Sequence, residues 1–473
     1  MSAAPVTAEM GATAALVAFA CDPAPRGTAA TRAAVKDLIV DTVGVAAAGG
    51  STPATALLRS WVDEQYPAQA TADAALHPGS AALWGESAGR GPADAALING
   101  TAAHALDWDD AAPSMAMHPA AVLLPTLFAL TGRHPATGPD LEEAYCVGSA
   151  VFRAVSEALP HGVHYGRGWH NTSTTGRLAA TAAAARLVGL TPEQTAHALG
   201  IAASAAAGSL ANFGTMTKPM HAGLTARDAV MAVGLAQRGF TANPAQLESR
   251  GGFFDLFGDH DPARTATLSE RLTFWATGWV DDYAIKAYPS CFATQRAIDA
   301  GFSLRNELGA GVSQISRLSV TLEAGGLRPL RDSEPTSGLE AKFSLEYTLS
   351  VALLTGNVRL SDFTDEAVAD PEVAALMRRV ELAERPPSSE PGFTVVNALL
   401  DGGRELVRQV HHSRGDSHNP LQRHELADKF LQCVGDQRDE ASCLAWFDEL
   451  HALADVEVPQ TWQALLAGPP LRP

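Results

Sequence analysis

Five short stretches of the chain concentrate residues able to move protons or hold anions. HALDWDDAAPSMAMHPAAVLLP holds His104, Asp107, Asp109, Asp110 and His118 within fifteen residues. Carboxylates beside histidines suit two chemistries: a divalent metal site, or an acid–base site in which a carboxylate orients an imidazole. The spacing matches neither HExxH nor an EF-hand, which makes the metal reading the weaker one. Asp109 and Asp110 have a plainer alternative as surface or helix-cap residues. His118-Pro119 precedes the apolar run AAVLLPTLFAL, which places His118 just before a helix, where the helix terminus influences its protonation.

HGVHYGRGWHNTSTTG carries His161, His164 and His170. Three histidines can bind zinc, but more often such residues have separate roles. His170 is the favoured one, because glycines and hydroxyls flank it and a helix opening near Thr174–Gly176 suits an anionic group. GTMTKPMHAG sets Lys218 beside Thr215, Thr217, Pro219 and His221, with a glycine at each end. A lone lysine is usually a solvated surface charge. Here Thr217 and Pro219 are read as fixing its backbone on an irregular segment that leads into another helix. DDYAIKAYPSCFATQRAID offers Lys286, Tyr288, Cys291 and Gln295, and AKFSLEYTLS offers Lys342 and Tyr347. Singly, each is a weak signal.

The elements that must position these residues are mostly helical. From about 29 to 265 the apolar residues recur at three–four spacing, as in TRAAVKDLIVDTVGVAAAGG, with Val35, Leu38, Ile39, Val43 and Ala46 on one face and a stop at Gly49-Gly50. In GLTPEQTAHALGIAAS, Thr191 is an N-cap, Pro192 the first helical residue and Gln194 the partner of a capping box, while Gly189 ends the preceding helix. The many alanines predict closely packed helices. From about 268 the pattern changes. ISRLSVTLEA alternates like a half-buried strand, and FTVVNALLDGGRELVRQV reads as two strands about an Asp401-Gly402-Gly403 turn. SLEYTLSVALLTG and DPEVAALMRRV between them are helical, and QRHELADKFLQCVG returns to helix. The expected organisation is a helical part over 1–267, an α+β part over 268–412 and a return to the helical part over 413–473.

Composition bounds the function. The chain has 473 residues, 46% hydrophobic and 18% charged, as in a soluble globular protein rather than a disordered one. A formal net charge of −18 argues against a nucleic-acid partner, yet leaves room for an anionic substrate held by a few cations. The cysteines Cys21, Cys146, Cys291, Cys433 and Cys443 are odd in number and lack CxxC spacing, which reads as reduced thiols in a cytoplasmic protein and gives no support to an iron–sulfur cluster. No run is long and apolar enough to span a bilayer. The N-terminus lacks signal-peptide features, and residues 1 to about 8 read as a loose tail.

The ordered set HALDWDD…HPAAVLLP, GWHNTSTTG, GTMTKPMHAG with RGFTANP after it, KAYPSCFATQRAID and KFSLEY resembles the MmgE/PrpD family, and HNPLQRHELADKF extends the likeness towards the C-terminus. That family includes 2-methylcitrate dehydratase, cis-aconitate decarboxylase and iminodisuccinate epimerase. The resemblance implies a mainly α fold, with a large all-helical domain, a smaller α+β lid, a homodimer, and an inter-domain site that needs no metal or organic cofactor. It implies Asp107, His118, His170 and Tyr347 as catalytic residues and Lys218 and Lys286 as substrate contacts; His221, Leu224 and Gln295, in or beside the same motifs, are the further expected substrate contacts. Such enzymes build charge on a carbon next to a carboxylate. Lysines aimed at the carboxylate oxygens stabilise that charge, and histidines take and return protons. Loss of water also needs an acid on the departing oxygen, so His118 and His170 would serve as base and acid in either order. Asp107 would fix one tautomer, and Tyr347 would donate to the substrate.

Three positions depart from the family's habit: Leu224 where an arginine is common, Ala111 where a threonine is, and Gln295 where a histidine is. Leucine cannot form the bidentate fork of a guanidinium. A pocket-facing Leu224 would favour a substrate with fewer carboxylates or a larger apolar part, such as a hydroxy acid of specialised metabolism. The first expectation is a hydro-lyase, followed by a decarboxylase of an unsaturated acid and then an epimerase. The alternatives of other classes are a non-catalytic carboxylate-binding or partner subunit, and a metal hydrolase.

Overall fold

In the computed structural model, residues 10–66, 76–160, 162–259, 261–331, 333–388 and 392–471 are described. His161 and the N-terminal segment read as a tail lie outside them. The helical body begins with α1 (Ala12–Cys21), α2 (Ala29–Gly49), α3 (Pro53–Gln65) and α4 (Pro92–Ala105). The two-residue strand β1 (Asp110–Ala111) follows, then α5 (Ala120–Thr131), α6 (Gly138–Ala158), α7 (Asn171–Val188), α8 (Pro192–Ser204) and α9 (Thr217–Gln237). Local rules account for many of the boundaries. Thr191 and Gln194 form the expected capping box at α8, and Gly189 closes α7 in the left-handed conformation. Asp140 makes the same reciprocal cap with Thr137 at α6.

Small residues bring the central helices together. A Cβ on Gly100 would meet the Gly223 Cα at 2.9 Å, and one on Gly223 would meet the Leu97 carbonyl oxygen at 2.2 Å. The contact sets the C-terminal end of α4 beside the N-terminal end of α9. Irregular backbone does precede Lys218, with Gly214 at φ 79°. Lys218 itself, however, lies in the first turn of α9, which opens at Thr217, and His221 follows in the same helix. Helical geometry, not an irregular segment, therefore sets the direction of both side chains. Similarly, α7 opens at Asn171 with His170 as its N-cap, a few residues earlier than the hydroxyl run implied.

The second half continues with α10 (Leu268–Gly278), β2 (Ala284–Ile285), α11 (Phe292–Leu308), β3 (Ile315–Leu322), α12 (Leu345–Thr355), β4 (Val380–Glu384), β5 (Thr394–Leu400), β6 (Glu405–Val410), α13 (Arg423–Val434) and α14 (Glu440–Ala452). Leu268, Leu272 and Trp275 of α10 join the same core as α6, so this helix belongs to the body in packing. The sheet runs β4-β3-β5-β6, with β3 and β4 parallel and the other pairs antiparallel. Strand β5 alternates buried and half-buried residues, and Val396 and Ala398 meet Ala297, Leu304, Leu345 and Leu349 of α11 and α12. Gly402 and Gly403, at φ 95° and 87°, make the β5–β6 turn. Phe430 of α13 and Phe447 of α14 return to the body's core, where a Cβ on Gly44 of α2 would lie 2.7 Å from the Phe430 ring. Among the described residues no helix is long and apolar enough to cross a membrane.

Candidate active site

The site is built on the four residues after α4. Asp107 holds φ 52°, a left-handed backbone that costs a non-glycine residue on the order of 1–3 kcal/mol. Three buried lysines from three distant segments each donate to one of three consecutive carbonyls there. Lys342 Nζ reaches the Leu106 oxygen at 2.8 Å, Lys286 Nζ the Asp107 oxygen at 3.0 Å, and Lys429 Nζ the Trp108 oxygen at 2.7 Å. The turn is thus held by charge-assisted hydrogen bonds from β2's flank, the sheet layer and α13. Lys286 is delivered by register. Strand β1 pairs antiparallel with β2, Asp110 opposite Ile285, so the next residue of each strand, Asp109 and Lys286, also falls side by side.

The Asp107 carboxylate bridges two of the cations, with Lys218 Nζ at 2.8 Å and Lys286 Nζ at 2.5 Å. Burial works to raise its pKa, but the two ammonium groups hold it far below the usual carboxylate range. Burial works against the charge of Lys286, and Asp107 and Asp109 reverse that and raise it above an ordinary lysine. Among the described residues Lys342 has no such carboxylate contact. Burial lowers it to about 7, with Lys286 and Lys218 adding repulsion and Asp107 opposing. Phe213 and Phe343 face Lys218 at 4.9 and 4.8 Å.

Four imidazoles line up beside this carboxylate. The rings of His118 and His104 are 4.6 Å apart, those of His104 and His170 6.0 Å, and those of His170 and His221 5.4 Å. Asp109 orients the first two, with its Oδ2 at 2.7 Å from His104 Nδ1 and 3.2 Å from His118 Nδ1. His118 Nδ1 also sits 2.7 Å from the Asp110 carbonyl, so Nδ1 carries the proton and Nε2 is the basic atom. The same logic leaves His104 Nε2 as an acceptor, and among the described residues it has no hydrogen-bond partner. His170 and His221 face each other Nδ1 to Nδ1 at 3.1 Å, and one must donate to the other. Burial lowers His104 and His221 to about 4 and drives His170 well below its ordinary value, with neighbouring cations adding to the effect. His118, with 12% of its side chain exposed, is the least buried of the His104–Asp109–His118 trio.

Several expectations are corrected by this geometry. Asp107 does not fix a histidine tautomer; Asp109, two residues on, does. Asp109 is therefore no surface residue. Asp110 is buried too, and acts as a cap: its carboxylate accepts from the Ala120 amide at 3.0 and 3.1 Å at the start of α5. Burial first, and then the Asp109 charge, raise it to about 8. Tyr347 does not face the cluster. Its hydroxyl donates to the Asp362 carbonyl, and its ring packs in the sheet layer with Ile298 and Val351. Gln295 is a strut, bonded through Nε2 and Oε1 to the backbone of Tyr288 and through Nε2 to that of Ser290. Leu224 packs against the apolar cluster of Leu97, Ala226 and Val230, so the case it made for a less charged substrate lapses. His164 bonds Thr174 and the Phe257 carbonyl, a buried structural role.

The structure brings together Asp107, His118, His170, Lys218, His221 and Lys286. His104, Asp109 and Lys429 were missed as site residues. His104 and Asp109 stood in the first motif, and Lys429 stood in HNPLQRHELADKF, where the amphipathic helix pattern gave it no role in the site. His104, Asp109 and His118 present atoms within 4.8 Å of one another, close enough for a cation. Lys286 already lies 3.5 Å from Asp109 Oδ1, so a fixed positive charge occupies that side of the carboxylate and the set fits proton chemistry.

A helical body and a mixed-sheet layer, meeting at buried lysines, carboxylates and a row of imidazoles, define a two-part, mainly helical fold with an internal polar cluster. The chain belongs to the MmgE/PrpD family, its residues 14–266 matching the family's N-terminal domain and 288–447 its C-terminal domain. It is 28% identical to the cis-aconitate decarboxylases of Mus musculus, over 405 residues, and Homo sapiens, over 414, and each match covers 82% of both chains. Similarity to the 2-methylcitrate dehydratase of Cupriavidus necator is 25% over 221 residues, 44% of each chain.

Proposed function

We propose that this protein is a cofactor-independent lyase that releases CO2 from an unsaturated polycarboxylic acid of the cis-aconitate kind. This places decarboxylation ahead of the water elimination expected first. The observation that carries it is the imbalance of the site: paired ammonium groups on one carboxylate, and a row of imidazoles held mostly neutral. Decarboxylation needs little more. The bond to the departing carboxylate breaks, and its electron pair spreads through the double bond onto the oxygens of a retained carboxylate. Lys218 and Lys286 stabilise that charge. One proton then goes to carbon, from the Nε2 of a protonated His118, whose Nδ1 stays anchored on Asp110 and Asp109. Removing water would need a second group able to donate to hydroxide, and burial keeps His104, His170 and His221 poor donors. The decarboxylase relatives, matched over most of both chains, support the same ranking.

Water elimination is the second reading, favoured by the partial likeness to a 2-methylcitrate dehydratase and by the His170–His221 contact, through which a proton can pass. The test is incubation with cis-aconitate and, separately, 2-methylcitrate, followed by mass spectrometry. CO2 loss from the first is the expected result. Water loss from the second with no CO2 from the first would reverse the ranking.

A further inference from the structure

A second His–Asp–His cluster lies away from the proposed reaction. Between β6 and α13 the chain crosses from sheet layer to body through a tightly tied loop. The Ile285 amide donates to the Gly415 carbonyl at 2.9 Å and the Ser417 amide to the Tyr283 carbonyl at 2.9 Å. Gly415, at φ 91°, is so close that a Cβ would sit 1.9 Å from the Ile285 oxygen. The loop therefore runs along β2, the strand that delivers Lys286.

On this loop His412 Nδ1 lies 3.1 Å and His418 Nδ1 3.3 Å from the same oxygen, Oδ1 of Asp416. Asp416 is buried, and the His418 amide donates to that same Oδ1 at 2.9 Å, fixing the carboxylate on the loop. The two imidazoles stack at 4.5 Å and 26°, both facing that oxygen. We propose that His412, Asp416 and His418 form a binding site for a zinc-class divalent ion. With metal–ligand bonds of about 2.0–2.2 Å and tetrahedral angles, ligand atoms stand about 3.3 Å apart, close to the two nitrogen–oxygen distances here, and all three ligand atoms lie within 4.8 Å of one another. Two imidazole nitrogens and a carboxylate oxygen favour zinc, cobalt or nickel over calcium or magnesium. The three residues line a cleft of about 550 Å³ between body and sheet layer, which gives an ion access. The cleft's arginines do not compete, since Arg296 is paired with Glu323 at 3.0 Å and Arg385 lies on the Phe393 ring. A bound ion would stiffen the crossover beside Lys286 without entering the imidazole row.

The test uses the full chain, stripped with chelator and titrated with Zn²⁺ by calorimetry and with Co²⁺ by visible absorption. One equivalent of each is expected, with Co²⁺ bands typical of four or five nitrogen and oxygen ligands. The His412→Ala/His418→Ala double variant should lose that equivalent or at least about tenfold in affinity. Asp416→Asn should do the same. The two histidines are exposed, so equal melting of wild type and double variant in chelator checks that the fold is intact. Absence of binding by the wild type, or undiminished binding by the double variant, would overturn the proposal.

Discussion

Two His–Asp–His clusters occur in this one chain, and their surroundings set them apart. In His104–Asp109–His118 the side chains are 0%, 0% and 12% exposed; in His412–Asp416–His418 they are 44%, 6% and 54%. The donors are the same and the distances similar. The first has a lysine 3.5 Å from its carboxylate, two more in the same pocket, and neighbouring imidazoles that burial keeps neutral. The second lies at the rim of an open cleft with its arginines engaged elsewhere. Residue type alone does not separate proton transfer from cation binding. The local charge balance and access to water do.

Replacing Lys286 is the most severe way to break the first cluster. Lys286→Met should lower kcat by roughly 10²–10³-fold, since one donor to developing charge is worth about 3–4 kcal/mol. It also leaves Asp107 with one cation, so thermal melting should fall as well. Next comes His118→Gln, expected to reduce kcat by about 10²–10⁴-fold. Circular dichroism should stay unchanged, because His118 is half-buried. Near-normal turnover would remove it from the mechanism.

The third effect is on stability. His104 titrates at about 6.5 when unfolded and about 4 when folded, because burial disfavours its charge. The unfolded chain therefore binds more protons in that interval. Stability is complete above about pH 6.5 and falls by about 3 kcal/mol for this residue as pH drops to about 4. His221 and His170 shift in the same direction. Urea midpoints across that range should show the decline unchanged in the His412→Ala/His418→Ala variant. A decline abolished in that variant would assign it to the wrong cluster. The smallest effect belongs to Tyr347→Phe, which removes one hydrogen bond. About 1 kcal/mol of stability should go, with kcat within twofold or so of wild type. A large fall in kcat would restore Tyr347 to the active centre.

Much of the fold was legible beforehand because local physics dictates it. The α8 capping box, the Gly189 stop, the alternation in β3 and β5 and the double-glycine turn each depend on neighbours a few residues away. The motifs also named most of the residues that meet. What they could not convey was partnership. Asp107 and Asp109 look equivalent in LDWDD, yet one bridges two lysines and the other orients two histidines. Tyr347 stands in a matched motif and Gln295 at a departure from one, and both serve the framework.

Composition, periodicity and capping residues by themselves determined the helices and strands and the list of groups available for chemistry, since those depend on near neighbours along the chain. Tertiary structure alone decided which carboxylate meets which cation. A left-handed Asp107, a β1–β2 register and a glycine-to-glycine helix contact place groups more than a hundred residues apart within 3 Å, where burial makes their charges matter.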